Sequence, residues 1–582
     1  MKIVLNYLTN VIQYMQLYAS NNRTFILKFF LLFIFISSNT FVSTLTWYYD
    51  KYYWYLAIIS LGTLYKAILI ILISFYFTLK CIKYIFRLRV KDKEKSLQTF
   101  KEKPLNSIAF VVPCYTEDYD KVNTTLQSLK TCIEYSRNVF RFNPLIIVIV
   151  DGENKGKGCD KKTGDYVMDI IGYENTIAYG SIVYESWKGG DVTCEYTYNT
   201  WFDIDVMVMV KKSNMGKKDS LILIRDILYN YNIKNKEIEY LRMIIDIISN
   251  INTNRTRHVI FDYIIGVDTG SYFSENAVEK LVRKIHKDDD VIGVSGFIKV
   301  HLDNLNWKNF WTFYQYFEYI FQQGLTRLGQ SVIGSVTCLP GCLQIMRICD
   351  ETMKEPLNEF RKLPDPESDY EKIRAYLGED RRFTCLMLYK NPKKMTTICT
   401  DALVYTDVPT TFSVLLSQRR RWFLSSQANN IADFFSNLPI LIRFIAIVQI
   451  WTFLFAIVTL ICAARLIWII VLNHNIIVLA AFSSLIFIGT YKNLLALIYA
   501  ESFGKFCYML MSMLVYTLIC PFINTYIGIY AMYTMDDYSW GKTQMIEKKA
   551  EGSYIEISLN NKEIVNQDPS TEVIAMPQDV KG

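Results

Sequence analysis

Apolar residues are unevenly spread along this 582-residue chain: long runs crowd both ends, and short runs closed by polar turns fill the middle. Residues 1–24 set Ile3, Leu5, Leu8, Ile12, Met15 and Leu17 near helical spacing among polar positions, which suits an amphipathic segment on a membrane surface and equally a loosely ordered N-terminus. Within 25–80, the runs 25–47 and 53–79 are each long enough to cross about 30 Å of hydrocarbon, with aromatic residues near an end. The first lacks a small-residue cleavage site, so it reads as a retained span. Lys80, Lys83, Arg87, Arg89, Lys91, Lys93 and Lys95 follow the second run, whereas Asp50 and Lys51 are the charges between the two. The positive-inside rule then places the basic stretch, and the region 81–435 that continues it, in the cytoplasm.

From residue 104 the pattern changes. The runs 107–113, 145–150, 264–267 and 291–294 read as buried strands, and 120–137 reads as a helix between the first two. This alternation predicts an α/β domain with a mixed, mainly parallel sheet of Rossmann-like character, embedded in an α-helical polytopic membrane domain. Ligands of such sheets sit at the carboxyl ends of the strands. Polar clusters fall there: Cys114-Tyr115-Thr116-Glu117, Asp151-Gly152 and Asp268-Thr269-Gly270. The aromatic stretch 305–325 is interrupted by Lys308, Gln315 and Glu318, and is read as an interfacial helix in preference to a core helix. Residues 350–377 read as a loop with one helix, and 423–437 as a second interfacial helix. The region 436–543 holds apolar segments at 441–472, 476–500 and 504–533, the last containing Pro521. The polar tail 544–582 is expected to be disordered.

Composition removes several function classes. The net charge of +7 arises from 63 basic and 56 acidic residues that are interspersed, so no basic stripe calls for a nucleic-acid partner. The thirteen cysteines show no regular spacing; Cys338 and Cys342 flank Pro340-Gly341 without a zinc-ligand pattern, and histidines number four. Reduced, mostly buried thiols are the better reading.

The chemistry concentrates in two stretches. In Gln418-Arg419-Arg420-Arg421-Trp422, guanidinium forks pair phosphate oxygens and the indole offers a face for a sugar or base. In Gly378-Glu379-Asp380-Arg381-Arg382, a carboxylate pair beside basic residues in a polar loop is where a general base can be held. Ser213 to Leu221 adds Gly216, which lets backbone approach a ligand, with Lys217 and Lys218 to neutralise phosphate; a solvated lysine turn explains this piece equally well, and the spacing is not that of a P-loop. Asp268 suits a divalent metal bridging a diphosphate, although an Asp-Thr-Gly turn accounts for it alone.

Taken in order, Val112 to Glu117, Asn214-Met215-Gly216-Lys217-Lys218-Asp219-Ser220, Asp268, Gly334 to Cys342, Gly378 to Arg382, Gln418 to Trp422 and Asp536-Asp537-Tyr538-Ser539-Trp540-Gly541 resemble the chitin synthases. The phrase Ser335-Val336-Thr337-Cys338-Leu339-Pro340-Gly341-Cys342 is similar to one fungal branch of that family; cellulose and hyaluronan synthases are wider relatives. The resemblance spans roughly 105–545. It implies processive, inverting transfer of N-acetylglucosamine from its UDP donor to the 4-hydroxyl of a growing β-1,4 chain, extruded through the protein's own spans. By the same resemblance Pro113, Tyr115 and Glu117 cradle uridine, Asp151 contacts uracil, and Lys217 meets the diphosphate. Asp268 holds Mg²⁺ or Mn²⁺, and Asp380, beside Glu379, is the general base. Gln418, Arg421 and Trp422 hold the leaving diphosphate and the acceptor sugar, Pro340 and Gly341 shape the acceptor pocket, and Trp540 faces the product channel. A plasma-membrane enzyme, bound to lipid and expected as a homodimer, follows.

The chain also departs from the pattern. Gly270 stands where the close branch has a second carboxylate, and Val150-Asp151-Gly152 lacks the doubled Asp of many relatives. It reads as a near-minimal version, without myosin-motor or cytochrome-like extensions. Another sugar polymerase (hyaluronan or glucan) and a transporter or scaffold with an inactive transferase domain are the alternatives; both base and leaving-group clamp being kept argues against the latter. The sequons at Asn123 and Asn254 are expected to carry no glycan. Five crossings would put Trp540 on the far side of the membrane from the transferase domain, a point the sequence leaves open.

Overall fold

Two long apolar helices, α1 (Arg23–Tyr49) and α2 (Tyr52–Ile85), precede a ten-stranded sheet. The computed structural model describes residues 23–49, 51–85, 104–156, 158–235, 237–252, 260–302, 309–474 and 476–539. The amphipathic segment up to residue 22, the basic residues 87–95, Asn254, Trp540 and the tail 544–582 lie outside them.

The strands are β1 (Ser107–Cys114), β2 (Asn143–Val150), β3 (Thr176–Glu185), β4 (Asp191–Trp201), β5 (Ile204–Lys211), β6 (Phe261–Gly266), β7 (Ser271–Phe273), β8 (Val291–Val300), β9 (Gln344–Arg347) and β10 (Met395–Thr406). They are ordered β3-β4-β5-β2-β1-β6-β9-β8-β10-β7. The centre β5-β2-β1-β6 is parallel, as is β8 with β10, while β3, β4, β7 and β9 pair antiparallel. Near-continuous apolar runs in β1 and β2 are buried on both faces, as central parallel strands require. Helix α3 (Tyr119–Val139) makes the crossover between them, started by the Asp118 carboxylate accepting the Lys121 N–H. The sequence thus anticipates β1, α3, β2, β6 and the beginning of β8.

Helix α4 (Lys217–Ile233) follows β5, and α5 (Phe310–Tyr319) follows β8. Helix α5 falls within the stretch 305–325 that was expected to form an interfacial helix. From Thr312 to Tyr319 every residue of α5 is buried, packed between β8 and the last apolar helix. Its polar residues are not there for water: Gln315 donates to the Pro409 carbonyl at 2.8 Å and Glu318 pairs with Arg419 at 2.7 Å. Residues 350–376 form three short helices, Asp350–Met353, Glu355–Arg361 and Asp369–Tyr376, where one was expected. The carboxylate pair lies in the first turn of α6 (Glu379–Lys390), not in a loop. The stretch 423–437 is no separate helix. It is continuous with the arginine cluster in α7 (Phe412–Phe435), since nothing between Arg421 and Phe435 breaks the helix.

Beyond α7 come α8 (Ile440–Leu454), α9 (Ala456–Asn473), α10 (Ile476–Ala496) and α11 (Phe503–Tyr533). Among the described residues, Leu27–Tyr48, Ile476–Tyr499 and Phe503–Tyr533 are long and apolar enough to cross a membrane. Two bent pairs, Tyr53–Leu61 with Lys66–Lys80 and α8 with the bulk of α9, raise that number to five if each is one span. The segment expected at 441–472 is broken by 69° at Phe455. Asn39, buried in α1, serves the break: its amide donates to the Leu454 carbonyl at 2.7 Å and accepts the Val458 N–H at 3.0 Å. Pro521 leaves α11 continuous.

Helix α11 is laid along α5 and α7 of the sheet domain. Tyr508 packs on Phe313 of α5, Tyr526 on Phe412 of α7, and the Thr534 carbonyl just past its end accepts from Arg420. Its other side exposes Met511, Leu518, Phe522 and Ile529.

Candidate active site

Three neighbouring parallel strands end in carboxylate-bearing loops. After β1, the Glu117 carboxylate accepts the Tyr115 N–H, and burial raises its pKa. The Tyr115 phenol is hydrogen-bonded to the Asn214 side chain, and the Thr269 hydroxyl donates to the Pro113 carbonyl at 2.9 Å, which joins the β1 and β6 loops.

After β2, Asp151 is buried and fully engaged. It accepts the N–H groups of Met215 (3.0 Å) and Gly216 (2.7 Å) and the Lys211 ammonium (2.9 Å). Its carboxylate therefore fixes the turn into α4. Gly216 sits at φ +91° at the start of α4, a conformation a side chain disfavours. Lys211 reaches on to Asp219 at 2.8 Å, and Asp219 in turn accepts the Tyr184 hydroxyl (2.5 Å) and the Trp187 N–H (2.9 Å). Sequence reading missed Lys211 as a functional residue; its one signal was a lysine closing the apolar run 206–210.

The turn delivers Lys217 into the site. Its ammonium lies 2.7 Å from Asp268, 3.6 Å from Glu379 and 3.9 Å from Asp380. Burial disfavours its charge, yet Asp268, Asp380 and Glu379 together hold its pKa well above the usual lysine value. One oxygen of Asp380 accepts the Gly341 N–H at 2.8 Å. The other, Oδ1, is buried with no hydrogen-bond partner in the protein. Burial pushes the Asp380 carboxyl up to about 6, with Lys217 and the Gly341 N–H opposing and Glu379 and Asp268 adding to it. Gly341 allows this convergence: a Cβ there would lie 2.5 Å from the Lys217 ammonium and 2.6 Å from Asp268. Pro340 precedes it, half-buried.

The three arginines do not act as one cluster. Successive helical residues point about 100° apart, and each guanidinium meets different company. Arg419 pairs with Glu318 and lies 4.2 Å over the Trp422 ring, while Gln418 accepts from it at 3.2 Å. Arg420 donates to the carbonyls of Thr534, Asp537 and Ser539 and pairs with the Asp537 carboxylate. Arg421 is buried on the side of α6, its pKa lowered by burial and supported by Glu379. Trp422 remains more than one-third exposed. The carboxylate helix is set tightly against α7, because a Cβ on Gly378 would fall 1.7 Å from the Ser425 hydroxyl. Gly378→Ala is expected to displace Glu379 and Asp380 and lower turnover about 10²-fold. A Gly378→Ala/Ser425→Gly double variant should recover most of it in the same assay, and equal loss in both would refute the contact.

The donor set fits a divalent cation only in one way. Among the described residues no group of three or more His, Cys, Asp or Glu is arranged to hold a metal. Asp268, Glu379 and Asp380 converge on the Lys217 ammonium, with Arg225 and Arg421 also within electrostatic reach of Glu379. Asp268 with diphosphate oxygens and waters suits Mg²⁺, which is commonly bound by one or two carboxylates plus substrate phosphates.

A family model described as chitin synthase matches residues 81–205 and 203–568. Chitin synthase 8 of Gibberella zeae is 27% identical over 523 residues, covering 86% of this chain and 74% of that protein. Chitin synthase 4 of Cryptococcus neoformans var. grubii is 28% identical over 488 residues, 78% of this chain but 37% of the relative. The chain thus spans about three quarters of one relative's length and little more than a third of the other's. Among solved structures, a mannosyl-3-phosphoglycerate synthase from Rubrobacter xylanophilus aligns with 57% of this chain and 75% of its own at 9% identity and a TM-score of 0.27, too weak a likeness to argue from. With the family model matching most of its length, this protein belongs to the chitin synthase family.

Proposed function

We propose that the protein is a processive β-1,4-N-acetylglucosaminyltransferase that uses UDP-N-acetylglucosamine to extend a chitin chain. The observation that carries this reading is Asp380, with one oxygen fixed by the Gly341 N–H and the other buried without a protein partner. An acceptor hydroxyl is the missing partner: Oδ1 takes the 4-hydroxyl proton as the sugar oxygen attacks the anomeric carbon, inverting it. Lys217 lies beside the same carboxylates and neutralises the donor diphosphate as the bond to it breaks. Gln418 and Arg421 assist from α7, with Trp422 offering its exposed face to the acceptor sugar. Pro113, Tyr115 and Glu117 form the nucleoside side of the site, and Asp151 acts through the Met215–Gly216 turn. Asp268 would hold Mg²⁺ or Mn²⁺ against the diphosphate, where a bound cation offsets charge on the leaving group.

Membranes carrying this chain should convert labelled UDP-N-acetylglucosamine into insoluble, chitinase-sensitive product. A chitinase-resistant polymer would move the assignment to another sugar, and no product from well-folded protein would refute it.

The same reading places the transferase domain in the cytoplasm of a plasma-membrane protein. The connector before α11 and the residues after it both touch that domain, through Lys299–Glu501 at 2.7 Å and Tyr538–Asp369 at 2.6 Å. Helix α11 is accordingly read as lying along the membrane face, leaving four crossings in α1, α2, the α8–α9 pair and α10. An epitope tag after Gly582 should then be reachable only in permeabilised cells. Labelling of intact cells would mean that α11 crosses.

A further inference from the structure

A cavity of about 100 Å³ lies apart from the carboxylate site, where the sheet meets the connector between α10 and α11. It is lined by Tyr272 of β7, Lys299 of β8, Tyr405 of β10, Tyr316 of α5, Glu501 of the connector and Lys505 of α11. Lys299 is 4% exposed and donates to the Tyr499 carbonyl (3.0 Å) and to Glu501 (2.7 Å). Glu501 also accepts from Lys505 (2.6 Å) and the Tyr405 hydroxyl (2.9 Å).

Both oxygens of Glu501 are thereby engaged, and two lysines against one carboxylate leave one positive charge over. Each ammonium has three N–H donors, of which Lys299 spends two and Lys505 one. Tyr316, 5% exposed, brings a hydroxyl to the cavity with no hydrogen-bond partner among the described residues. The unspent capacity is thus mainly donor capacity around a net positive charge, which suits an anion with several acceptor oxygens and not a cation. Beside the connector, Ile498 and Phe503 are 60% and 81% exposed, at the ends of helices apolar enough to contact hydrocarbon. Acyl chains can lie against those side chains while a headgroup enters the cavity.

We propose that this cavity binds a phosphate group, supplied as the headgroup of an anionic membrane lipid. The purified full chain in phosphatidylcholine nanodiscs would be titrated with phosphatidic acid, and separately with inorganic phosphate, following its unfolding temperature. Phosphatidic acid is expected to give a saturable rise, with apparent affinity about tenfold weaker in Tyr316→Phe and in Lys505→Gln. Tyr316→Phe leaves the Glu501 ion pairs intact, so it stays informative if Lys505→Gln lowers stability in phosphatidylcholine alone. An equal rise with inorganic phosphate, weakened by the same substitutions, supports the phosphate site and overturns its lipid source. No rise with either probe, or a rise unchanged in both variants, overturns the site.

Discussion

Asp380→Asn is expected to lower transfer by about 10²–10⁴-fold, the range a positioned general base contributes. The substitution keeps size and a hydrogen-bonding carbonyl for the Gly341 N–H, so the loop and α6 should hold their places. What disappears is the basic oxygen Oδ1, which is buried without a protein hydrogen-bond partner. Donor binding should change little, because Lys217 keeps Asp268 at 2.7 Å, so the loss should fall on kcat more than on donor KM. The sign of the pH effect follows from the same group. Its carboxyl is raised to about 6 and must be deprotonated to act, so wild-type kcat/KM should fall as pH drops through about 6. An unchanged rate in Asp380→Asn, or an acid limb that persists in that variant's residual activity, would remove Asp380 from this role.

Lys211→Met carries the largest expected effect on stability. Lys211 is wholly buried between Asp151 and Asp219, and the substitution removes the shared cation while both carboxylates stay inside. Breaking a buried pair in this way costs about 3–5 kcal/mol, a large share of the roughly 5–15 kcal/mol that holds a domain folded. The damage should spread through the Met215–Gly216 turn that Asp151 fixes, and so to Lys217. Thermal unfolding of the purified chain reads this directly. Adding Asp151→Asn and Asp219→Asn to Lys211→Met should restore part of the midpoint by removing the stranded charges. A midpoint for Lys211→Met equal to wild type would show the triad to be dispensable.

Sequence reading succeeded where one physical signal dominated. The runs in β1 and β2 are apolar on both faces because the strands are central and parallel, so neither needed a partner to be recognised. It failed where partners decide. Strand β3 alternates exposed and buried positions at a sheet edge, and β9 has four residues, so neither gives a long apolar run. Gln315 and Glu318 look like water-facing positions until Arg419 is seen against Glu318. The carboxylate pair looks like loop chemistry because Gly378 and charged neighbours surround it, yet the helix N-terminus is also a place that favours acidic residues. Side by side in the sequence, Arg419, Arg420 and Arg421 suggest one phosphate clamp, and helical geometry sends them to three separate tasks.

Arg420 carries a consequence for biosynthesis. Its guanidinium, 3% exposed, is satisfied by residues 534–539, and Lys28 near the start of the chain pairs with Asp536 in the same segment. Until residues 534–539 are made, the Arg420 guanidinium lacks the carbonyls and the carboxylate that satisfy it in the folded chain. The helix bearing Arg421 and Trp422 is therefore expected to reach its final packing only after α11 has been made and Lys28 has met Asp536.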